Sequence, residues 1–231
     1  MGKLDQWMTK EQLKRNTLVI FMNDNGGTAG VDLYNAGMRG KKGSNYDGGH
    51  RAVCFVRWPG GGLSEPYTVK SLAEVQDIFP TVEQLCNLRP TSQRLDGVSL
   101  VPELYGKRGD TGRMVVVPYG GDNRPEKFDG CVLWKDWRLV GKDELYLVSH
   151  DPGERHNLAA TYPAIRDRMS AFYNRWWGLL PDWDRFIPLI VGSESENPVT
   201  LTSDYGADSQ YVNTQWKVAQ AGGAPRGGTW H

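Results

Sequence analysis

Residues 18–22 read Leu-Val-Ile-Phe-Met, and the run stops at Asn23-Asp24-Asn25-Gly26-Gly27. An unbroken apolar run of strand length lacks the polar alternation of a half-exposed strand. It predicts a strand covered on both faces, as in a parallel sheet. Covering both faces requires flanking layers, which points to the α/β class. The stop sets an acid, an amide and two glycines at the carboxyl end of the strand, where open parallel sheets bind their ligands. Asp24 and Asn25 offer hard oxygen donors, suited to calcium or magnesium and poorly suited to zinc or copper. Two neighbours cannot fill such a shell, and Asn-Gly sequences also make ordinary turns. Alone, the tetrapeptide reads as a turn; the metal reading needs partners.

Other elements follow from spacing. Leu4, Trp7, Met8 and Leu13 mark an amphipathic N-terminal helix without the apolar centre of a signal peptide. "AVCFVRWP" predicts a second strand closed by Pro59. Leu72, Val75, Phe79, Val82 and Leu85 predict a helix that Pro80 must kink or restart. Residues 94–113 read as loop. "CVLWKDWRLVGKDELYLV" predicts three short strands with turns at Lys135-Asp136 and Gly141–Asp143, an antiparallel meander. A helix from Pro163 carries Ile165, Met169, Phe172, Trp176 and Leu180 on one face. The tail past Pro181 is rich in Gly, Ser, Asp and Asn and ends at "GGTWH" without a closing element, which suggests truncation.

Lys plus Arg and Asp plus Glu both total 27, so the chain lacks the basic excess of a general nucleic-acid binder. No stretch reaches the roughly 18 apolar residues of a membrane span. The nine Trp residues suit an aromatic core. Cys54, Cys86 and Cys131 form neither a disulfide framework nor a zinc motif and are read as buried apolar residues. A second polar cluster, "MRGKKGSNYDGGHR", gathers Arg39, Lys41, Lys42, His50 and Arg51 among glycines. Such a loop can hold a tetrahedral oxyanion, or be a solvated basic loop. It lacks P-loop spacing.

Taken together and in order, these segments resemble the sulfatases of the alkaline phosphatase superfamily. "FMNDNGG", "MRGKKGSNYDGGHR" and "VCFVRWPGG" match that family's Asp-Asn-Gly strand end, Arg-Gly-x-Lys-Gly loop, Gly-Gly turn and Trp-Pro strand end. "VQDIFPTVEQLCNL", "LDGVSLVPELYG" and "ELYLVSHDPGERHNLA" match three further signatures downstream. The tail from Asn197 also resembles an extension of some bacterial members.

The resemblance implies an α/β fold: part of an alkaline-phosphatase-like, mostly parallel sheet over residues 1–112, a small C-terminal α+β subdomain with the meander over 113–185, and an extension over 186–231. It implies a sulfuric ester hydrolase with calcium as cofactor. Asp24 and Asn25 map onto calcium ligands and Lys42 onto the catalytic, sulfate-contacting lysine. His50 is either a substrate contact or a packed residue. Arg39, Asp47 and Arg51 order the loop, and Asp151, Glu154 and His156 are structural. The family's formylglycine arises from a Cys-x-Pro-Ser-Arg type motif; no such motif and no Asp-Asp pair occurs here. The chain thus resembles the C-terminal portion of a sulfatase. Its expected partners are a sulfate ester, sulfated glycans included, and an N-terminal sulfatase half, with no turnover alone. The alternatives are a non-catalytic remnant or pseudoenzyme that binds an anion or glycan, and a phosphoesterase of the same superfamily.

Overall fold

The computed structural model describes residues 1–89, 94–107, 112–119 and 126–180. The chain separates into a unit of Met1–Pro181 and a unit of Asp182–His231. The latter, with the expected boundary at 185/186 and the tail resemblance, lies outside the described residues.

Helix α1 (Gly2–Lys10) forms as expected, yet it buries Met8 and leaves Leu4 and Trp7 exposed. Strand β1 (Val19–Met22), the single turn α2 (Asp47–His50) and strand β2 (Cys54–Arg57) follow. β1 is not covered on both faces. It pairs antiparallel with β2 in a two-stranded sheet, with Phe21 opposite Phe55. Among the described residues β1 has no parallel neighbour, so its apolar run stays half covered. Cys54 and Cys86 are likewise exposed; Cys131 alone of the three is buried.

The expected helix over 71–85 divides into a 3-10 turn at Val75–Asp77 and α3 (Ile78–Leu85). Pro80 is tolerated as the third residue of α3, because first-turn amides have no intrahelical acceptor. The buried face is polar: Asp77 and Thr81 are buried, whereas Val75 and Phe79 are exposed. The Asp77 carboxylate accepts the Glu74 and Val98 amides at 2.9 and 2.8 Å and is paired with the Arg113 guanidinium. Thr81 Oγ1 accepts the Leu100 amide at 2.9 Å. These contacts fix the segment before α4 (Val101–Leu104), a helix inside the stretch expected as loop.

The meander has four strands: β3 (Met114–Pro118), β4 (Gly130–Trp134), β5 (Trp137–Val140) and β6 (Glu144–Leu147), all antiparallel in that order. β3 is the addition; its Val115-Val116-Val117 run carries the β-branched signal for it. Alternation along each strand makes two faces. Val132, Leu139 and Leu145 pack with Met169 and Tyr173 of helix α5 (Pro163–Trp177). Val115, Cys131, Leu133, Val140 and Tyr146 form the other face, covered by Tyr46 and Leu72. The sheet is thus sandwiched between α5 and the Arg39–Arg51 loop. This explains the unbroken apolar composition of β4, buried at four of its five positions. Among the described residues no helix is long and apolar enough to cross a membrane.

Candidate functional site

Two glycine-bearing loops meet at the end of β1. The Gly26 amide donates to the Gly49 carbonyl at 3.0 Å, and the Lys42 amide to the Gly27 carbonyl at 2.9 Å. A Cβ on Gly26 would lie 1.8 Å from the Gly48 carbonyl oxygen. One on Gly49 would lie 2.1 Å from the Ser44 carbonyl oxygen. The paired glycines are therefore required by backbone approach, beyond any turn geometry.

This docking brings Asp24, Asn25 and Lys42 together. Lys42 Nζ lies 3.5 Å from Asp24 Oδ2, and the Asn25 side-chain amide donates to the same oxygen at 3.1 Å. Asp24 and Lys42 are both exposed, so their attraction adds little stability; the arrangement is available for a ligand. Asn25 uses its side-chain nitrogen toward Asp24 and its backbone carbonyl toward the Asn23 side chain; its side-chain oxygen and the Asp24 carboxylate are hard donors. That pair of hard donors fits calcium in kind. Among the described residues no cluster of three or more His, Cys, Asp or Glu forms a metal site.

His50 goes elsewhere. Its ring is mostly buried behind α2, with Nδ1 3.9 Å from Cys131 Sγ and Nε2 3.7 Å from Asp47 Oδ1. Burial, reinforced by the charges of Arg138 and Arg51, lowers its pKa to about 4. The imidazole is neutral, so its approach to Asp47 is not an ion pair. The geometry supports the packed alternative for His50 over substrate contact. Cys131, His50 and Asp47 lie in a line that resembles a thiol catalytic triad, but the electrostatics oppose it. Burial pushes the Cys131 thiol up to about 12, and the sulfur is closed to solvent. A thiol held protonated is a poor nucleophile.

Asp47 anchors the loop from within. Its carboxylate, 1% exposed, accepts Arg51 Nη1 at 2.8 Å and Arg138 Nε at 3.2 Å. Burial raises its pKa, but Arg138 and Arg51 outweigh that and hold it below the usual carboxylate value. The Asp47 amide donates to Glu154 Oε2 at 2.9 Å. Arg39 stacks 3.7 Å from the Tyr46 ring centroid and donates to the Glu154 carbonyl at 3.0 Å. Asp151 accepts the Arg155 and His156 amides at 2.7 and 2.8 Å, and Asn157 Oδ1 accepts the Leu145 and Ala159 amides. The Asp-Pro-Gly-Glu turn is structural, as expected. Sequence reading missed Arg138, whose only signal is a lone cation among apolar neighbours in "WRLV".

A family model described as Sulfatase matches residues 1–88. Mouse steryl-sulfatase is 39% identical over 103 residues, covering 41% of this chain and 16% of that protein. A sulfatase of Formosa agariphila is 34% identical over 176 residues, covering 66% of this chain and 30% of that protein. The crystal structure of Ps i-CgsB in complex with k-i-k-neocarrahexaose superposes with a TM-score of 0.61 at 22% identity, covering 84% of this chain and 43% of that one. The chain spans less than a third of the two curated relatives named. The motifs that lock its two loops together lie within the matched region, the fold is shared with solved sulfatases, and together these likenesses support membership of the sulfatase family.

Proposed function

We propose that this chain contributes part of a sulfuric ester hydrolase site, with Asp24 and Asn25 as calcium ligands and Lys42 as the sulfate-contacting cation. The observation that carries this reading is the 3.5 Å approach of Lys42 Nζ to Asp24 Oδ2 at the tips of two interlocked loops. Calcium, when bound, supplies charge neutralisation of sulfate oxygens. Asp24 and Asn25 present their oxygens at the mouth of β1. Lys42, fixed through its own amide to Gly27, sets an ammonium group where charge develops on the leaving oxygen. The formylglycine nucleophile comes from an N-terminal sulfatase segment that docks against β1 and β2. The substrate class is a sulfate ester, sulfated glycans included; the Ps i-CgsB complex with k-i-k-neocarrahexaose supports an oligosaccharide carrier.

Mixing tests this. The purified chain alone turns over no aryl sulfate. An N-terminal sulfatase segment added to it restores turnover, and Lys42→Ala abolishes that gain. Binding of the two halves without turnover would sink the reading. It would favour a non-catalytic chain that binds an anion, the reading supported by the lack of a Cys-x-Pro-Ser-Arg motif here.

A further inference from the structure

Glu154 is fully buried, and its two carboxyl oxygens differ. Oε2 accepts the Asp47 amide. Oε1 is buried without a hydrogen-bond partner. The charged and titratable groups facing it are Asp47, Arg39 and Tyr46 from the loop, Arg138 from β5 and Cys131 from β4. A buried carboxylate oxygen without a partner, beside a second carboxylate, disfavours the ionised form. A protonated carboxyl group keeps its acceptor for the Asp47 amide while adding no charge beside Asp47. The contact leads directly to the site. Asp47 opens α2, Gly49 within α2 accepts the Gly26 amide, and Gly27 accepts the Lys42 amide.

We propose that Glu154 is a positioning residue for Asp24, Asn25 and Lys42: its neutral carboxyl group holds α2, and through α2 both site loops, and loss of its proton loosens them. Burial raises the Glu154 pKa to about 7, against the Asp47 amide and the charges of Arg138 and Arg39, while Asp47 adds to the rise. The raised value makes the closed state bind a proton that an opened Glu154, with its ordinary pKa of 4.5, has released. Opening therefore becomes easier as pH climbs from the lower value to the higher, and levels off above it. This inference rests on the site reading above, but its test uses neither calcium nor substrate, so the two can fail separately.

Hydrogen–deuterium exchange of the full chain, corrected for intrinsic rates, tests it on peptides that contain Gly26 and Lys42. The ratio of opening in wild type to that in Glu154→Gln should grow about fortyfold from pH 5 to pH 7, then level off by pH 8. Gln keeps an acceptor for the Asp47 amide and cannot ionise. A ratio that does not change with pH would overturn the proposal. So would an equal change at Val132 in β4, which would mean only general support of the fold. If Glu154→Gln does not fold, His50→Gln serves instead. It removes the opposing titration of His50, so opening at Gly26 and Lys42 should rise from pH 5 to 7, and a flat profile there would overturn the proposal.

Discussion

Gly26 and Gly49 meet backbone to backbone, the amide of one 3.0 Å from the carbonyl of the other. No side chain fits in the gap, since a Cβ on Gly26 would penetrate the Gly48 carbonyl at 1.8 Å. Gly26→Ala should therefore force the two loops apart and separate Asp24 from Lys42. Overpacking of this kind costs about 1–3 kcal/mol. Hydrogen–deuterium exchange at the Lys42 amide, which donates to Gly27, should quicken in Gly26→Ala, against little change in Gly2→Ala, where a Cβ meets nothing.

Asp47 supplies the paired carboxylate for the mostly buried Arg138, at 3.2 Å, beneath Tyr46 and Leu72. Asp47→Ala leaves Arg138 buried and uncompensated, at about 3–5 kcal/mol. Asp47→Asn, which keeps shape and partial hydrogen bonding, should cost less. Urea unfolding followed by Trp fluorescence ranks the two; equal costs would show that charge is not what Asp47 contributes.

How much of this was legible in the sequence follows from where each signal lies. Strands β4 to β6, their turns and α5 are readable because alternation and helical spacing are local, and their partner surfaces lie within the chain; β3 is not. β1 was readable as a strand but misread as fully covered, because an apolar run reports what a strand is built to meet, not what this chain supplies. The 71–85 helix misled because its buried positions are Asp77 and Thr81, polar residues satisfied by Val98, Leu100 and Arg113 from distant sequence. Asp24, Asn25 and Lys42 came from motif resemblance, and the docked loops bring them together. The Asp47–Glu154 contact spans 107 residues and left no local trace.

His50 gives a pH dependence with a fixed sign. Its folded pKa of about 4 lies below the ordinary 6.5, so the unfolded chain binds a proton that the folded chain refuses. Stability from this group is intact above 6.5 and is lost as pH falls toward 4, by roughly 3 kcal/mol in all. His50→Gln should remove that loss. The stability difference between mutant and wild type, measured by urea unfolding, should grow in favour of the mutant as pH drops from 7 to 4.5. A constant difference would mean that His50 is charged, or solvated, in the folded state.

Phe21 and Phe55 pair across β1 and β2, 6.4 Å between ring centroids, yet are 45% and 64% exposed. Both outer edges of this two-stranded sheet are free among the described residues. An exposed apolar strand pair with open edges is a template for association. The chain alone should self-associate at micromolar concentration, seen as a concentration-dependent shift in sedimentation velocity. Phe55→Ser should reduce that shift, and an N-terminal sulfatase segment should abolish it by covering the same face. Phe79→Ser is the control, because Phe79 is similarly exposed but lies on α3, away from any strand edge. A monomer that unfolds cooperatively, unchanged by Phe55→Ser, would show that β1 and β2 need no further partner.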